Sequence, residues 1–333
     1  MDSITHLALG AAVGEAVLGR KVGYRAAMWG AICATLPDLD NFIPYQDAVA
    51  TVTFHRSFTH SLIVLALFTP LMAWLIRKIH PQLGGDKKEW CWLVFLVFET
   101  HALLDAFTVY GTQLLWPLYK YPFSGSTIFI IDPAYTLPLL VGVICALVFS
   151  REKNIRRYLN YAGLFLSSLY LGWTVVAKSY IEDKVLQSLE KQDVVFNRLL
   201  STPAPFNSIL WRFVVIVNGG YYEGYYSILD KIDDMEFHFY RDEKQLLAGL
   251  EGHWPVQRLK WFTHGFYSVK RMGNDIVISD LRMGAEPTYA FRYKIAEIGN
   301  PHPKALVSTF VPSVWRKEQL EWLWWRLRNP KRP

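Results

Sequence analysis

Four stretches of the 333-residue chain are almost free of charge, and they restrict the folds that the chain can adopt. They cover residues 62–76, 90–110, 134–149 and 158–177. A helix that crosses the hydrocarbon core of a bilayer needs roughly 20 mostly apolar residues, and slightly shorter stretches suffice at the lower end of the range. We therefore predict that all four cross a membrane as helices.

Two shorter helical stretches precede them, at residues 4–18 and 24–36, and the second ends at Pro37. The first is rich in small residues, which let helices approach closely in a membrane. These residues are Gly10, Ala11, Ala12, Gly14 and Ala16. We expect a membrane-embedded hairpin here, and hence an α-helical membrane domain of about six helices over residues 1–178.

The sequence changes character after residue 178. Charged and apolar residues alternate at helical spacing, which predicts an amphipathic connector over residues 179–206. The remainder, residues 207–333, contains stretches typical of a small α+β domain with an antiparallel sheet. These are a Gly-Gly-linked β-hairpin at 211–218 and 221–228, further strands at 266–272, 276–283 and 289–298, and a helix near 242–251.

Basic residues concentrate in three of the short loops between the predicted helices, and the positive-inside rule places such loops in the cytoplasm. The three groups are Arg20, Lys21 and Arg25; Arg77, Lys78, Lys87 and Lys88; and Arg151, Lys153, Arg156 and Arg157. Six alternating helices then predict a multi-pass protein of the inner (plasma) membrane whose residues 207–333 are extracytoplasmic. A final Trp- and Arg-rich segment, 315–329, is typical of a helix at the surface of anionic lipid.

Several residues of metal-ligand type lie inside or beside these apolar stretches. An ionisable group inside a membrane is costly, so it is a functional-site hypothesis by default. The residues are His6, Asp38, Asp40, His60, His101 and Asp105, and the predicted orientation brings them to one membrane face. His101 and Asp105 are four residues apart and share one helix face, as two ligands, as a ligand and its orienting partner, or as a packing pair.

The segments around Asp40 and His60 add further candidates. Asp38 and Asp40 in PDLD can be ligands or can merely end a helix, and Asp40 is a candidate general base if it is not a ligand. His55 is a further candidate ligand. Arg56 suits an anionic substrate or pairs with a neighbouring aspartate. We expect Ser57 or Thr59 to cap the following helix.

Three further sites have more ordinary alternatives. His6 taken alone is more typical of a structural histidine, and its interpretation as a ligand depends on the other candidates. Asp132 stands before Pro133, where it can be a helix cap, a carboxylate behind the ligands, a ligand or a catalytic group. Asp280 and Arg282 are expected to form a salt bridge at a strand end rather than to face a metal.

Imidazole and carboxylate ligands suit zinc, and also manganese or iron, so we predict one or two divalent ions. Such ions commonly activate water for hydrolysis. We therefore predict hydrolysis of an ester or phosphoester, with a lipid or a lipid-linked molecule as an amphiphilic substrate. The alternative is a metal-ion transporter or a metal-binding membrane sensor. No sequence motif indicates a nucleic-acid partner.

An ordered set of motifs resembles one known family. SITH, PDLD, HRSFTHS, HALLDAFTVYGTQLLWP, IIDPAYTLPLL and SDLRMG are similar to the YdjM-type, LexA-regulated inner membrane proteins. This resemblance implies a bacterial or archaeal inner membrane protein with metal-dependent hydrolase activity. A fainter similarity, carried by the His101-to-Asp105 spacing, is to the zinc-dependent phospholipase C and P1 nuclease group. An N-terminal Trp ligand and a later His/Glu pair are lacking, so a three-metal site is not expected.

Overall fold

The computed structural model describes residues 1–149, 154–232, 235–313 and 317–332, and the chain divides into two compact units. Unit 1 comprises Met1–Phe42, His55–Val175 and Pro205–Asn207. Unit 2 comprises Ile43–Phe54, Val176–Ala204 and Ser208–Pro333. Of the residues used above, Arg151, Lys153, Trp315 and Arg316 lie outside the described residues.

The helices of the described residues, in chain order, are Ser3–Val22 (α1), Tyr24–Thr35 (α2), Ala48–Phe54 (α3), Leu62–Ile79 (α4), Lys87–Ala106 (α5), Pro133–Val148 (α6), Ile155–Lys191 (α7), Trp254–Phe262 (α8) and Lys317–Arg328 (α9). Short 3₁₀ helices cover Pro37–Phe42, Phe58–His60 and Lys244–Leu247. In unit 1, α1 packs against α2, α5 and α6, and α4 packs against α5.

The contact between α1 and α2 is made through backbone atoms, because glycine stands where the two helices meet. A Cβ atom on Gly30 would overlap the carbonyl oxygen of Gly10, and a Cβ atom on Gly14 would overlap that of Ala26. The predicted hairpin with small residues on its first helix is therefore present. Asp2 starts α1 by accepting hydrogen bonds from the backbone nitrogens of Ile4 and Thr5.

The prediction of about six membrane helices is wrong. Among the described residues, two helices are long and apolar enough to cross a bilayer: α4, with a mean hydropathy of 1.9, and α7, with 1.2. The helices α2 and α6 have 12 and 16 residues, and charged residues interrupt α1 and α5. Much of the apolar surface of α5 forms the interior of unit 1, where Trp90, Leu93, Val94, Val97 and Phe98 are buried. The predicted orientation assumed six spans and is not supported.

Unit 2 contains antiparallel sheets, as predicted. Its strands are Arg198–Pro203 (β1), Leu210–Val217 (β2), Gly220–Ser227 (β3), His238–Arg241 (β4), Tyr267–Met272 (β5), Asp275–Asp280 (β6), Gly284–Ala285 (β7), Thr288–Tyr289 (β8), Arg292–Glu297 (β9) and Lys304–Phe310 (β10). One sheet has the order β1-β2-β3-β4, a second has β10-β9-β6-β5, and β7 pairs with β8.

The predicted Gly-Gly hairpin is β2–β3, in which Val217 pairs with Gly220 across the turn. The helix predicted near residues 242–251 is wrong. Only Lys244–Leu247 form a 3₁₀ turn there, and Gly249 follows with a positive φ of 83°. The α-helix of this region begins later, at Trp254, with Pro255 in its first turn.

The close approach of α1 and α2 predicts that Gly30→Ala destabilises the protein by about 1–3 kcal/mol, because the new methyl group must push two helix backbones apart. The measurement is the thermal unfolding midpoint of the full chain in detergent. Gly172→Ala on α7 is the matched control, since a Cβ atom at Gly172 meets nothing within 4 Å. Equal midpoints for the two variants would contradict the backbone contact.

Candidate metal centre

Four of the predicted ligands converge inside unit 1. Asp38 lies in the 3₁₀ helix that follows α2, and His60 ends the 3₁₀ turn before α4. His101 and Asp105 lie one turn apart on α5. One donor atom from each of these residues lies within 4.8 Å of the others. Residues distant in sequence therefore meet because the end of α2, the start of α4 and one face of α5 come together.

The spacing of these donor atoms fits a tetrahedral ion. The Nε2 atom of His60 lies 3.2 Å from His101 Nε2, 3.4 Å from Asp38 Oδ1 and 3.2 Å from Asp105 Oδ2. His101 Nε2 lies 3.8 Å from Asp38 Oδ1 and 3.7 Å from Asp105 Oδ2. A tetrahedral ion with bonds of about 2.0–2.1 Å holds neighbouring donors roughly 3.3–3.4 Å apart. The observed separations bracket this value.

The chemistry of the donor set also fits a cation. Two imidazole Nε2 atoms only 3.2 Å apart repel one another unless a proton or a metal ion lies between them. Asp105 Oδ2 is buried and accepts no hydrogen bond of good geometry from the described residues, although the side chains of Arg56 and His60 lie within 3.2 Å of it. A buried carboxylate oxygen in this state is stabilised by a cation. The donor set therefore suits zinc, and also manganese or iron.

A hydrogen-bond relay that runs from His60 through the Thr59 hydroxyl to Asp40 fixes the tautomer of His60. The Thr59 hydroxyl lies 2.5 Å from Asp40 Oδ2 and 3.0 Å from His60 Nδ1. The single hydroxyl proton goes to the carboxylate, which can only accept, so the hydroxyl must accept from His60 Nδ1. His60 therefore carries its proton on Nδ1, which leaves the Nε2 lone pair for a metal. Such a partner behind a ligand tunes metal affinity.

The pKa values of these groups reflect the same contacts. Burial opposes ionisation of Asp40, but the hydrogen bond from His55 and the nearby histidines outweigh it, so the pKa of Asp40 lies below its usual value. Burial alone would lower the pKa of His60, yet its contacts with Asp105 and Asp38 raise it. The carboxylates that can share a cation with His60 therefore also favour a proton on it.

Asp40 and His55 lie beside the four-residue group and are bonded to each other. His55 Nδ1 is 2.6 Å from Asp40 Oδ1, and the backbone nitrogen of Arg56 donates to Asp40 Oδ2 at 3.1 Å.

The 3₁₀ geometry of Pro37–Phe42 explains why Asp40 is buried while Asp38 is partly exposed. Residues three apart share a face of such a helix, so Asp40 and Pro37 are buried together while Asp38 lies on another face.

The guanidinium group of Arg56 pairs with Asp105 rather than with Asp38, Asp40 or Asp47. Its Nε atom lies 3.1 Å from Asp105 Oδ2, and Nη1 donates to the Thr108 hydroxyl at 3.1 Å. The guanidinium also stacks on the Tyr110 ring at 4.9 Å from its centroid. Arg56 has a positive φ of 59°, a backbone conformation that is uncommon for a side chain of this size. A permanent positive charge is thus buried next to the centre.

His6 lies on the other side of Asp105. Its Nε2 atom is 3.1 Å from Asp105 Oδ1, and its ring stacks on that of His101 with centroids 3.7 Å apart. The amino group of Met1 also contacts Asp105 Oδ1. His6 therefore contacts the candidate ligand Asp105 through Oδ1, whereas His60 lies near Oδ2.

Asp132 and the SDLRMG motif are engaged elsewhere. Asp132 caps α6, accepting from the backbone nitrogens of Ala134 and Tyr135, and its second oxygen accepts from the Tyr170 hydroxyl at 2.8 Å. Asp280 forms a buried ion pair with Arg282 at 2.7 Å, as expected.

The prediction that Ser57 or Thr59 caps α4 is wrong, because Ser61 is the N-cap residue and His60 lies before the helix.

The sequence did not identify Thr59, Thr108 and Tyr110 as parts of this centre. Thr59 was interpreted only as a helix cap, although its position next to His60 and its hydroxyl both allow it to bond a histidine nitrogen. Thr108 lies three residues after Asp105, one helical turn further on, which is the only signal that it carried. For Tyr110, which stacks on Arg56, no sequence pattern provided a signal.

The comparisons agree with the resemblance noted in the sequence. A family model described as YdjM inner membrane protein matches residues 1–181, more than half of the chain. The uncharacterised protein YfhP of Bacillus subtilis (strain 168) is 24% identical over 96% of this chain and 98% of its own length. The inner membrane protein YbcI of Escherichia coli (strain K12) is 35% identical over 34% of this chain and 66% of its own length.

No solved structure matches the chain. The similarity to the zinc-dependent phospholipase C and P1 nuclease group is not shown by these comparisons.

The geometry predicts one tightly held divalent ion per chain, lost on substitution of a ligand. Purified protein loaded with zinc and passed through a desalting column should retain metal, measured by mass spectrometry, whereas His60→Ala, His101→Ala and Asp105→Ala should retain little. His238→Ala is the control, since that histidine is an exposed residue of unit 2. Equal metal content in all variants would contradict the site.

The relay predicts a specific effect of Thr59. Thr59→Val keeps the side-chain shape but removes the hydroxyl, so the zinc affinity should fall by about 10–100-fold. Thr59→Ser keeps the hydroxyl and should bind nearly as tightly as the wild type. Competition with a zinc-selective fluorescent chelator measures both values, and similar affinities for the valine and serine variants would rule out the relay.

Proposed function

The chain belongs to the YdjM inner membrane protein family, and we propose that it is a metal-dependent hydrolase of an ester or a phosphoester. The observation that carries this proposal is the uneven burial of the four ligands. His60, His101 and Asp105 are buried, whereas the Asp38 side chain is 20% exposed. A centre that is accessible on one side admits a substrate, as catalytic metal sites require.

The four ligands would hold one divalent ion, with the Thr59 hydroxyl keeping His60 in the tautomer that can bind it. A bound divalent ion would supply Lewis-acid polarisation of the scissile group and acidification of water. Every other contribution comes from the chain itself. The low exposure of three ligands keeps bulk water away from the charges and so strengthens their interactions.

Arg56 favours an anionic substrate. Two ligand carboxylates balance a divalent ion, and the guanidinium then adds one positive charge beside Asp105. Thr108 and Tyr110 hold the guanidinium in place, so it is preorganised for charge that develops on a substrate oxygen. This positive charge beside Asp105 favours a phosphodiester, which carries one negative charge, over a neutral carboxylic ester.

The Asp40–His55 pair is positioned to accept a proton. Asp40 Oδ1 accepts from His55 Nδ1, so the lone pair of His55 lies on Nε2. His55 is the more accessible member of the pair, and its ring centroid lies 5.7 Å from that of His60. Asp40 therefore acts as a positioning residue, and His55 is the candidate general base of the proposed reaction.

The test is hydrolysis by the purified full chain with added zinc or manganese. The substrates are bis(p-nitrophenyl) phosphate and a p-nitrophenyl carboxylic ester. We expect metal-dependent turnover that is abolished by His101→Ala and removed reversibly by a chelator. Metal-dependent flux of ions into vesicles without any hydrolysis would overturn the proposal in favour of a transporter.

Substitution of Arg56 tests the preference for an anionic substrate. Arg56→Lys keeps the charge but loses the planar guanidinium and its stacking, so kcat/KM for the phosphodiester should fall by roughly 100-fold, with a smaller loss for the carboxylic ester. Metal content should not change. Arg25→Lys, at an exposed arginine of α2, is the matched control. Equal losses for both substrates would show that Arg56 does not recognise the anion.

A further inference from the structure

Large exposed apolar side chains occur in the chain segments that carry the candidate ligands Asp38 and His60. In the 3₁₀ helix Pro37–Phe42, residues three apart share a face. Pro37 and Asp40 share a buried face, whereas Leu39 and Phe42 share a different face and are 51% and 81% exposed. Leu39 lies directly between the ligand Asp38 and the positioning residue Asp40.

The 3₁₀ turn Phe58–His60 also combines an exposed apolar residue with a buried polar one. Phe58 is 40% exposed although His60, two residues later, is buried. The Thr59 hydroxyl donates a hydrogen bond to Asp40, so the turn that carries Phe58 lies next to the 3₁₀ helix that carries Leu39. Exposed apolar residues are normal when they are scattered singly. Here they alternate with the residues of a charged centre.

Leu118 is a further exposed apolar residue, on a turn attached to the segment that carries His60. It is 83% exposed in a tight turn in which the Tyr119 backbone nitrogen donates to the Leu115 carbonyl at 3.0 Å. The turn is fixed to the segment that carries His60, because the Ser61 hydroxyl donates to the Trp116 carbonyl at 2.5 Å. We call Leu39, Phe42, Phe58 and Leu118 the apolar rim.

The rim is continuous with a candidate membrane span. The helix α4 begins at Leu62, two residues after His60, and it is one of the two helices long and apolar enough to cross a bilayer among the described residues. Its side chains are largely exposed, including Leu67, Phe68, Leu71 and Trp74. A ligand two residues before the start of a span lies at the level where hydrocarbon meets the polar head groups.

We infer that the centre takes a phosphodiester-containing membrane lipid from the bilayer, with the lipid's acyl chains lying against the apolar rim and its phosphate reaching the metal ligands and Arg56. This inference rests on the proposed hydrolase function and adds the substrate class. The reaction adds one water across a P–O ester bond, so the phosphorus gains the hydroxyl and the leaving oxygen takes the proton. No other reactant is needed.

Bilayer lipid is favoured as the occupant of the rim over a second protein for two reasons. The family is one of inner membrane proteins, and the rim is continuous with the exposed apolar side chains of α4. A water-soluble substrate would leave Phe42 and Leu118 facing water, which is unfavourable for side chains of this size.

The first experiment is independent of catalysis. A photoreactive phenylalanine analogue replaces Phe42, Leu118 or, as control, the exposed loop residue Gln82 in full-length protein. The protein is reconstituted in vesicles of equal parts phosphatidylethanolamine and phosphatidylglycerol and then irradiated. We expect lipid adducts by mass spectrometry at positions 42 and 118 and none at 82. Adducts to a second copy of the chain, or no adducts, would overturn the inference.

The second experiment compares substrates. Phe42→Ser and Leu118→Ser together should lower the rate on vesicle phospholipid by about 100-fold, since burial of each such side chain in hydrocarbon is worth about tenfold and two are replaced. Turnover of soluble bis(p-nitrophenyl) phosphate should stay unchanged. Ile79→Ser, an exposed apolar residue at the other end of α4, is the matched control.

The outcomes separate this inference from the proposed function. Turnover of the soluble phosphodiester with no turnover of vesicle lipid, or equal loss on both substrates in the double variant, overturns the lipid substrate and leaves the hydrolase in place. No metal-dependent turnover of any substrate overturns the hydrolase, and with it the lipid as a substrate. Lipid adducts at positions 42 and 118 would then show only that the rim contacts the bilayer.

Discussion

The buried carboxylate of Asp105 is the constraint on which the arrangement of unit 1 depends. It is removed from water, and an ionised carboxylate in that position must be surrounded by cations and hydrogen-bond donors. His6 approaches one oxygen, and Arg56 and His60 approach the other. These three residues come from α1 and from the segment before α4, while Asp105 belongs to α5. A single charge thus explains why these three parts of the chain converge.

Asp40 is a second anchor with a different role. It binds the backbone and side chains of the segment 55–59, which sets the position of His60, while Asp38 two residues earlier is a candidate ligand. The 3₁₀ helix makes this division possible, because residues two apart lie on different faces of it. The two aspartates of PDLD are therefore not equivalent. One holds the loop that carries a ligand, and the other lies at the accessible side of the centre.

The sequence predicted which residues form the centre better than it predicted how those residues contact one another. Residue types and the cost of burying charge selected seven candidate ligands, of which Asp38, His60, His101 and Asp105 form one group, and helical spacing predicted that the last two share a face. The places of His55 and His6 depend on tertiary contacts with Asp40 and Asp105, which no local pattern encodes. In unit 2, the Gly-Gly turn defined the hairpin β2–β3. The helix predicted near residues 242–251 instead begins at Trp254, after Gly249 with its positive φ and with Pro255 in its first turn.

Too many membrane spans were predicted because an apolar helix can face a protein interior instead of lipid. The same apolar interior of unit 1 contains the candidate metal centre. Hydropathy measures how strongly a segment avoids water, but it does not distinguish lipid from a protein interior. The helix α5 is apolar because Leu93, Val97 and Phe98 are packed within unit 1, and the same helix carries His101 and Asp105 inward. An apolar environment strengthens every interaction between charges. The core that α5 forms with α1 and α2 thus provides the low dielectric in which four donors can hold a cation tightly.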